Sequence, residues 1–241
     1  MEKYGKNNRI SPSGDRTEVG FRSVLAEASD VSYRTFGAIQ AVAGTTACKG
    51  VQINALRKYA LENGWWVEDI SAFGKFVDRG SENEVYLSYD SKTVYKLNDF
   101  RYADDNLNSF FERIQAHNRY FPDCKYDLIG FGLNQSGKVC ALLVQPFIHA
   151  EREATEAEIA EALALSGFQS QLEGGYFTDG EYDIFDALPN NVLYGIDGHL
   201  YFIDTIIYNT RSEGFQIYRT LSPRFSEEDS AESCCKTLKI K

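Results

Sequence analysis

The tightest constraint on this chain is a short stretch in which two β-rich runs flank an Asp-Gly pair. Asn191-Val192-Leu193-Tyr194 and Leu200-Tyr201-Phe202-Ile203 are rich in β-branched and aromatic residues, and Asp197-Gly198 between them signals a two-residue hairpin turn. A turn centred on those two residues sets Asn191 directly opposite Asp204. An amide oxygen and a carboxylate then meet at the open end of the ribbon, with Asp186 just outside it. Hard cations such as Mg²⁺ take oxygen ligands of this kind, usually together with phosphate oxygens.

A second constellation lies upstream. Gly80-Ser81-Glu82-Asn83-Glu84-Val85-Tyr86-Leu87 leads through the turn-like Tyr89-Asp90-Ser91-Lys92 into Val94-Tyr95-Lys96-Leu97. Pairing about Asp90-Ser91 places Val85 opposite Lys96. Asp104 to Tyr120 reads as a helix, because Leu107, Phe110, Phe111 and Ile114 form an i, i+3, i+4, i+7 stripe. Tyr126 to Leu133 and Val139 to Ile148 read as two strands joined at Ser136-Gly137. Pro146 should end regular pairing there, since it has no N–H to donate. Thr155-Glu156-Ala157-Glu158 is a capping box that starts a helix to about Ser166, with Gly167 as the stop.

Taken singly, each constellation is also what an ordinary surface hairpin carries. Their order and spacing together resemble the protein-kinase-like superfamily, whose pattern is H-R-D-x-x-x-x-N followed by D-F-G. Asp186, Asn191 and Asp204 match the three polar positions. Ile184-Phe185 stands where His-Arg would be, which argues against control by a phosphorylated activation loop pairing with that Arg. Thr205-Ile206 stands where Phe-Gly would be. Gly80 to Val85 resembles the Gly-rich loop, with Asp78 and Asn83 where flanking glycines are expected, and Lys96 resembles the V-A-I-K lysine. The resemblance implies that Gly80, Val85 and Lys96 bind a nucleotide, Val85 covering adenine and Lys96 neutralising phosphate charge. It implies a helix glutamate that pairs with the lysine. Glu112 is the candidate by spacing, although at about 100° per residue it sits roughly 140° from the centre of the apolar stripe, and Asp104 and Asp105 are rivals. It further implies that backbone groups at Gln145 and Phe147 form a hinge that binds adenine.

Ala55 to Ala60, Gly80 to Tyr86, Phe121-Pro122-Asp123, Gln145 to Ile148 and Asn191 to Thr205 narrow the resemblance. It is to the compact kinase-like domain of bacterial and phage polyvalent proteins, over roughly residues 51–210. These are multi-domain products of mobile elements. The expected fold is α+β, a minimal bilobal kinase-like fold with an antiparallel N-lobe sheet and a truncated, small C-lobe. Residues 1–50 form an N-terminal arm and extension, 51–148 a helix plus the N-lobe, 149–221 the truncated C-lobe and 222–241 a polar tail. Within the extension, Phe21 to Ala28 reads as a short helix, and residues 51–63 read as a helix stopped by Asn63-Gly64.

The implied activity is an ATP- and Mg²⁺-dependent phosphotransferase with an unidentified acceptor. Asp186 would be the catalytic base and Asn191 with Asp204 the metal ligands. Two alternatives stay open: a non-catalytic nucleotide-binding or interaction module of the same fold, and nucleotidyl rather than phosphoryl transfer. Composition bounds these readings. The 241 residues carry a formal net charge of −10 and no basic stripe, which argues against non-specific binding to nucleic acid or anionic membranes. No transmembrane run or signal-peptide core is visible. Five cysteines without zinc-site spacing, two of them adjacent at Cys234-Cys235, suit reduced thiols in the cytoplasm better than a disulfide framework. His117, His149 and His199 form no metal-ligand pattern.

Overall fold

The computed structural model describes residues 23–45, 47–103, 105–172 and 175–210. Residues 1–22 of the expected arm and extension, and the polar tail at 222–241, lie outside those residues. The chain is α+β and divides into two compact units, Met1–Phe111 with Lys125–Phe147, and Glu112–Cys124 with Ile148–Lys241.

The first unit opens with α1 (Val24–Ala43) and α2 (Lys49–Asn63). The expectation of a short helix ending at Ala28 is corrected: α1 continues to Ala43. The Ser23 side chain caps its start by accepting from Ala26 N, and it stops only at Gly44, which takes the left-handed φ of 62°. The Ala-, Gly- and Thr-rich run beyond Ala28 is therefore mostly helix, held by burial of Ala28, Val31 and Ser32. Asn63-Gly64 ends α2 as expected, Gly64 adopting φ 72°.

Strands β1 (Trp66–Val67), β2 (Gly74–Arg79), β3 (Asn83–Ser88) and β4 (Thr93–Asn98) follow. Helix α3 (Asn108–Tyr120) then leads to β5 (Asp127–Leu133) and β6 (Val139–Pro146). The strands form one sheet in the order β1-β5-β6-β4-β3-β2, antiparallel except for the β1–β5 pair. One face packs Phe73, Tyr86, Tyr95, Leu97 and Leu142 into a core. Helix α3 begins later than the sequence suggests, because Asn106 and Asn108 first build a polar turn with Asn106 Oδ1 accepting from Asn108 N. The stripe of Leu107, Phe110, Phe111 and Ile114 is buried throughout.

A polar hub fixes that turn. The Gln52 side chain of α2 is fully buried. Its Nε2 donates to Ser32 O at 3.1 Å, Ser32 Oγ at 2.9 Å and Asn108 Oδ1 at 3.2 Å, and its Oε1 accepts from Leu107 N at 2.8 Å. One amide on α2 thus satisfies groups on α1 and at the start of α3, which is what a buried polar side chain must do to remain inside.

The second unit contains β7 (Ala150–Glu153), α4 (Glu156–Leu165), β8 (Gln169–Leu172), β9 (Tyr176–Thr178), β10 (Tyr182–Phe185), β11 (Val192–Gly195), β12 (Leu200–Phe202) and β13 (Ile206–Asn209). They make a β13-β10-β9-β8 sheet and a β12-β11-β7 sheet. The capping box forms as expected, with Thr155 Oγ1 accepting from Glu158 N and the Glu158 carboxylate accepting from Thr155 N. Ile159, Leu163, Phe168, Ile184, Val192 and Phe202 belong to one buried cluster. Cys48, Cys124 and Cys140 are buried thiols outside any disulfide, and burial pushes Cys140 up to about 12. Among the described residues no helix is long and apolar enough to cross a membrane.

Candidate functional site

Lys96 stands where its hairpin was expected to put it. The turn after β3 is locked by its own side chains: Ser88 Oγ accepts from Lys92 N and Thr93 N, and Asp90 Oδ1 accepts from Lys92 N. Those bonds set the register, with Val85 opposite Lys96 and Lys96 opposite Leu143. Directly paired residues share a face, so an apolar side chain flanks the lysine on each neighbouring strand. The next row on that face holds Asn83 and Asn98, joined by Asn98 Nδ2 donating to Asn83 Oδ1 at 3.0 Å. Lys96 is only 6% exposed. Its ammonium donates to Tyr126 Oη at 3.3 Å.

Gly80 occupies the tight turn between β2 and β3, where its N–H donates to Asn83 O at 2.9 Å. Its φ lies outside the left-handed region, and a Cβ there would meet nothing nearer than Asn83 O at 3.9 Å. The turn therefore does not require glycine. Gln145 is buried in β6 opposite Val94, and the strand ends at Pro146 as expected. The Phe147 N–H donates to Lys92 O at 2.8 Å, which engages the donor that an adenine contact would use.

Glu112 is half-buried on α3. Of its two rivals, Asp105 is exposed and its carbonyl accepts from Cys48 N and Lys49 N at the start of α2, a capping role. Asp104 lies outside the described residues.

In the second unit, β10 delivers the chain to Asp186, which turns sharply with φ 59° and is half-buried. Asp tolerates this region better than most residues. Immediately after it, Ala187 N donates to Gly175 O at 3.1 Å. Gly175 has φ 81°, and a Cβ there would sit 2.9 Å from the Ala187 backbone. Only glycine fits this approach. A 3₁₀ turn, Pro189–Asn191, then leads into β11. Asn191 is 7% exposed and reaches back, Nδ2 donating to Asp186 O at 2.8 Å. With its nitrogen committed there, its Oδ1 is the end that accepts, here from Asn190 Nδ2 at 3.0 Å.

The expected register of the following hairpin is corrected by one residue. Val192 pairs with Phe202, Leu193 with Tyr201 and Tyr194 with Leu200, so Asn191 is level with Ile203, whose N–H donates to Asn191 O at 2.9 Å. The reason is the loop. Gly195 N donates to His199 O, which leaves three residues, Ile196-Asp197-Gly198, with Gly198 at φ 80°. A three-residue hairpin loop with glycine at the left-handed position replaces the two-residue turn. Asp204 is half-buried just beyond β12, one position past the residue level with Asn191. Thr205, in the place of the usual Phe, is 4% exposed.

Among the described residues no group of three or more His, Cys, Asp or Glu is arranged to hold a metal ion. The expected ligands Asn191 and Asp204 would offer one amide oxygen and one carboxylate, a sparse set of the kind that Mg²⁺ takes when substrate phosphates complete its shell. Tyr126 and Gly175 were not singled out from the sequence. Gly174-Gly175 offered a turn signal, but nothing local marks Tyr126 as a hydrogen-bond partner of Lys96.

A mixed α+β chain with a strand-borne lysine and this acid-amide loop is of the kinase-like class. The family comparison is specific: the serine/threonine/tyrosine kinase family found in polyvalent proteins matches residues 49–211, and the chain belongs to that family. No curated protein matches the chain.

Proposed function

We propose that this chain is an ATP- and Mg²⁺-dependent phosphotransferase of minimal bilobal form, residues 51–148 making the nucleotide-holding lobe and residues 149–221 a truncated second lobe. The observation that carries this reading is the bond from Asn191 Nδ2 to Asp186 O. It ties together, on one loop, the acid that a kinase uses toward the acceptor and the amide that it uses toward the metal. The pairing of Val85 with Lys96 supports it from the other lobe.

In this reading Lys96 binds the nucleotide phosphates, with Glu112 as its acidic partner. Val85 lies against the adenine, Gly80 sits in the phosphate-covering turn, and Gln145 and Phe147 border the base. Asn191 and Asp204 hold Mg²⁺, which when bound neutralises phosphate charge. Asp186 orients the acceptor hydroxyl and accepts its proton. The rate then comes from positioning and charge neutralisation rather than covalent chemistry. A non-catalytic nucleotide-binding or interaction module is the second reading, favoured by the engagement of the Phe147 N–H with Lys92 O.

Incubation with Mg²⁺ and ATP labelled separately at the α- and γ-phosphates tests the proposal. Transfer of the γ-label, to the chain itself or to an added hydroxyl acceptor, is expected. Transfer of the α-label would mean nucleotidyl transfer, and binding without transfer would mean the non-catalytic module. The acceptor itself is identified by which component of a protein and small-molecule mixture takes up the γ-label.

A further inference from the structure

We infer that Tyr126 is a positioning residue for Lys96, its phenolic oxygen holding the lysine ammonium at the place where nucleotide phosphates are bound. The inference rests on the nucleotide-binding reading of Lys96 and adds a residue that the kinase pattern does not contain.

Three observations carry it. Both residues lie in the first unit and both are buried, Lys96 at 6% and Tyr126 at 6% exposure. The Lys96 ammonium donates to Tyr126 Oη at 3.3 Å. It is also 5.2 Å from the centre of the Tyr126 ring. The phenolic oxygen projects from one edge of that ring, so the two distances together put the ammonium beyond the hydroxyl end rather than over the ring face. The interaction is therefore a hydrogen bond to oxygen more than an attraction to the π-system, whose strength needs the cation over the face.

The sheet explains why a tyrosine serves here. Tyr126 immediately precedes β5, and β5 pairs with β6 from Asp127 onward, with Leu128 opposite Leu143. Leu143 is in turn opposite Lys96. Tyr126 thus enters from the strand two places away from β4, and its long side chain carries a terminal oxygen across that separation. An ammonium has three N–H donors. Giving one to Tyr126 limits how the ammonium can turn, and a group already aimed loses less freedom when a phosphate arrives.

The test compares Tyr126→Phe, which keeps the ring and its burial, with Tyr126→Leu, in wild-type and Lys96→Met backgrounds. Mg·ATP binding is measured by calorimetric titration. In the wild-type background Tyr126→Phe should weaken binding by about fivefold, the scale of ordering one long side chain on binding. Tyr126→Leu should add little beyond that. In the Lys96→Met background Tyr126→Phe should change binding by less than about twofold, because the partner is gone.

A second readout is independent of nucleotide. The rate at which an acetylating reagent labels Lys96, followed by peptide mass spectrometry, should rise about threefold or more in Tyr126→Phe as the hydrogen bond is released. An unchanged labelling rate would overturn the inference. So would equal weakening of Mg·ATP binding in both backgrounds, which would mark Tyr126 as merely structural. If wild type binds no Mg·ATP, the nucleotide reading falls and the positioning role with it. A labelling rise would then leave Tyr126 only a structural partner of Lys96.

Discussion

Asn191 carries more of the candidate site than its chemistry alone suggests. Its amide nitrogen bonds Asp186 O, its oxygen accepts from Asn190, and its own carbonyl accepts from Ile203 N. One buried residue thereby joins the Asp186 turn to the hairpin that leads to Asp204. Asn191→Asp separates two of these duties, since a carboxylate offers oxygens to a cation but cannot donate to Asp186 O. Both Asn191→Asp and Asn191→Ala should lose about 1–2 kcal/mol of stability in urea denaturation, the worth of a buried hydrogen bond with its partner left behind. Both should lower turnover at least tenfold. Only Asn191→Ala should also weaken Mg²⁺ dependence, seen as a higher metal concentration for half-maximal activity. Equal metal titrations for the two variants would remove Asn191 from the metal site.

Among the elements, α2 and α4 show opposite ways of fixing a helix. The Gln52 hub of α2 is buried, so its removal strands several groups at once, including Leu107 N. Gln52→Leu is expected to destabilise the fold by about 2–4 kcal/mol, measured by denaturant titration, whereas an effect within 0.5 kcal/mol would contradict the hub. The cap of α4 is at the surface and is charged. The Arg152 guanidinium, then the Thr155 N–H and hydroxyl, draw the Glu158 carboxyl down from its ordinary 4.5 to about 2. A carboxyl lowered on folding stabilises the protein fully above its unfolded value, and that contribution fades as pH falls through about 2. Wild type should therefore melt above Glu158→Gln at pH 7, and the gap should close as the pH is taken from about 4.5 down to 2. A gap that is constant with pH would exclude the carboxylate as its source. The capping box and the Val85–Lys96 register were legible in the sequence because each is set by residues adjacent in the chain. Strand β2 was not, since five of its six residues are exposed and leave no alternation to read. The β11–β12 register failed because Asp197-Gly198 fits both a two-residue turn and the end of a three-residue loop, and the slip moves Asp204 away from Asn191.

For the whole molecule, family membership was legible in the order of the motifs, since order survives errors of one residue in register. Of helix α1 only the start was, in the short helix read up to Ala28: its extent to Ala43 lies outside the family match, which begins at residue 49, and its attachment through Ser32 and Gln52 is visible only in three dimensions. The central claim, that this chain binds nucleotide through a metal held by Asp204, is tested most directly by thermal unfolding with and without Mg·ATP. A ligand that binds only the folded chain stabilises it by about 2.7 kcal/mol at one hundred times its dissociation constant, and each kcal/mol moves the midpoint by roughly 2–4 °C at this size. Wild type should rise by several degrees with Mg·ATP at millimolar concentration, and Asp204→Asn, which keeps the side-chain size but not the charge, should lose most of the Mg²⁺-dependent part. No rise in wild type, or the same rise in Asp204→Asn, would contradict it.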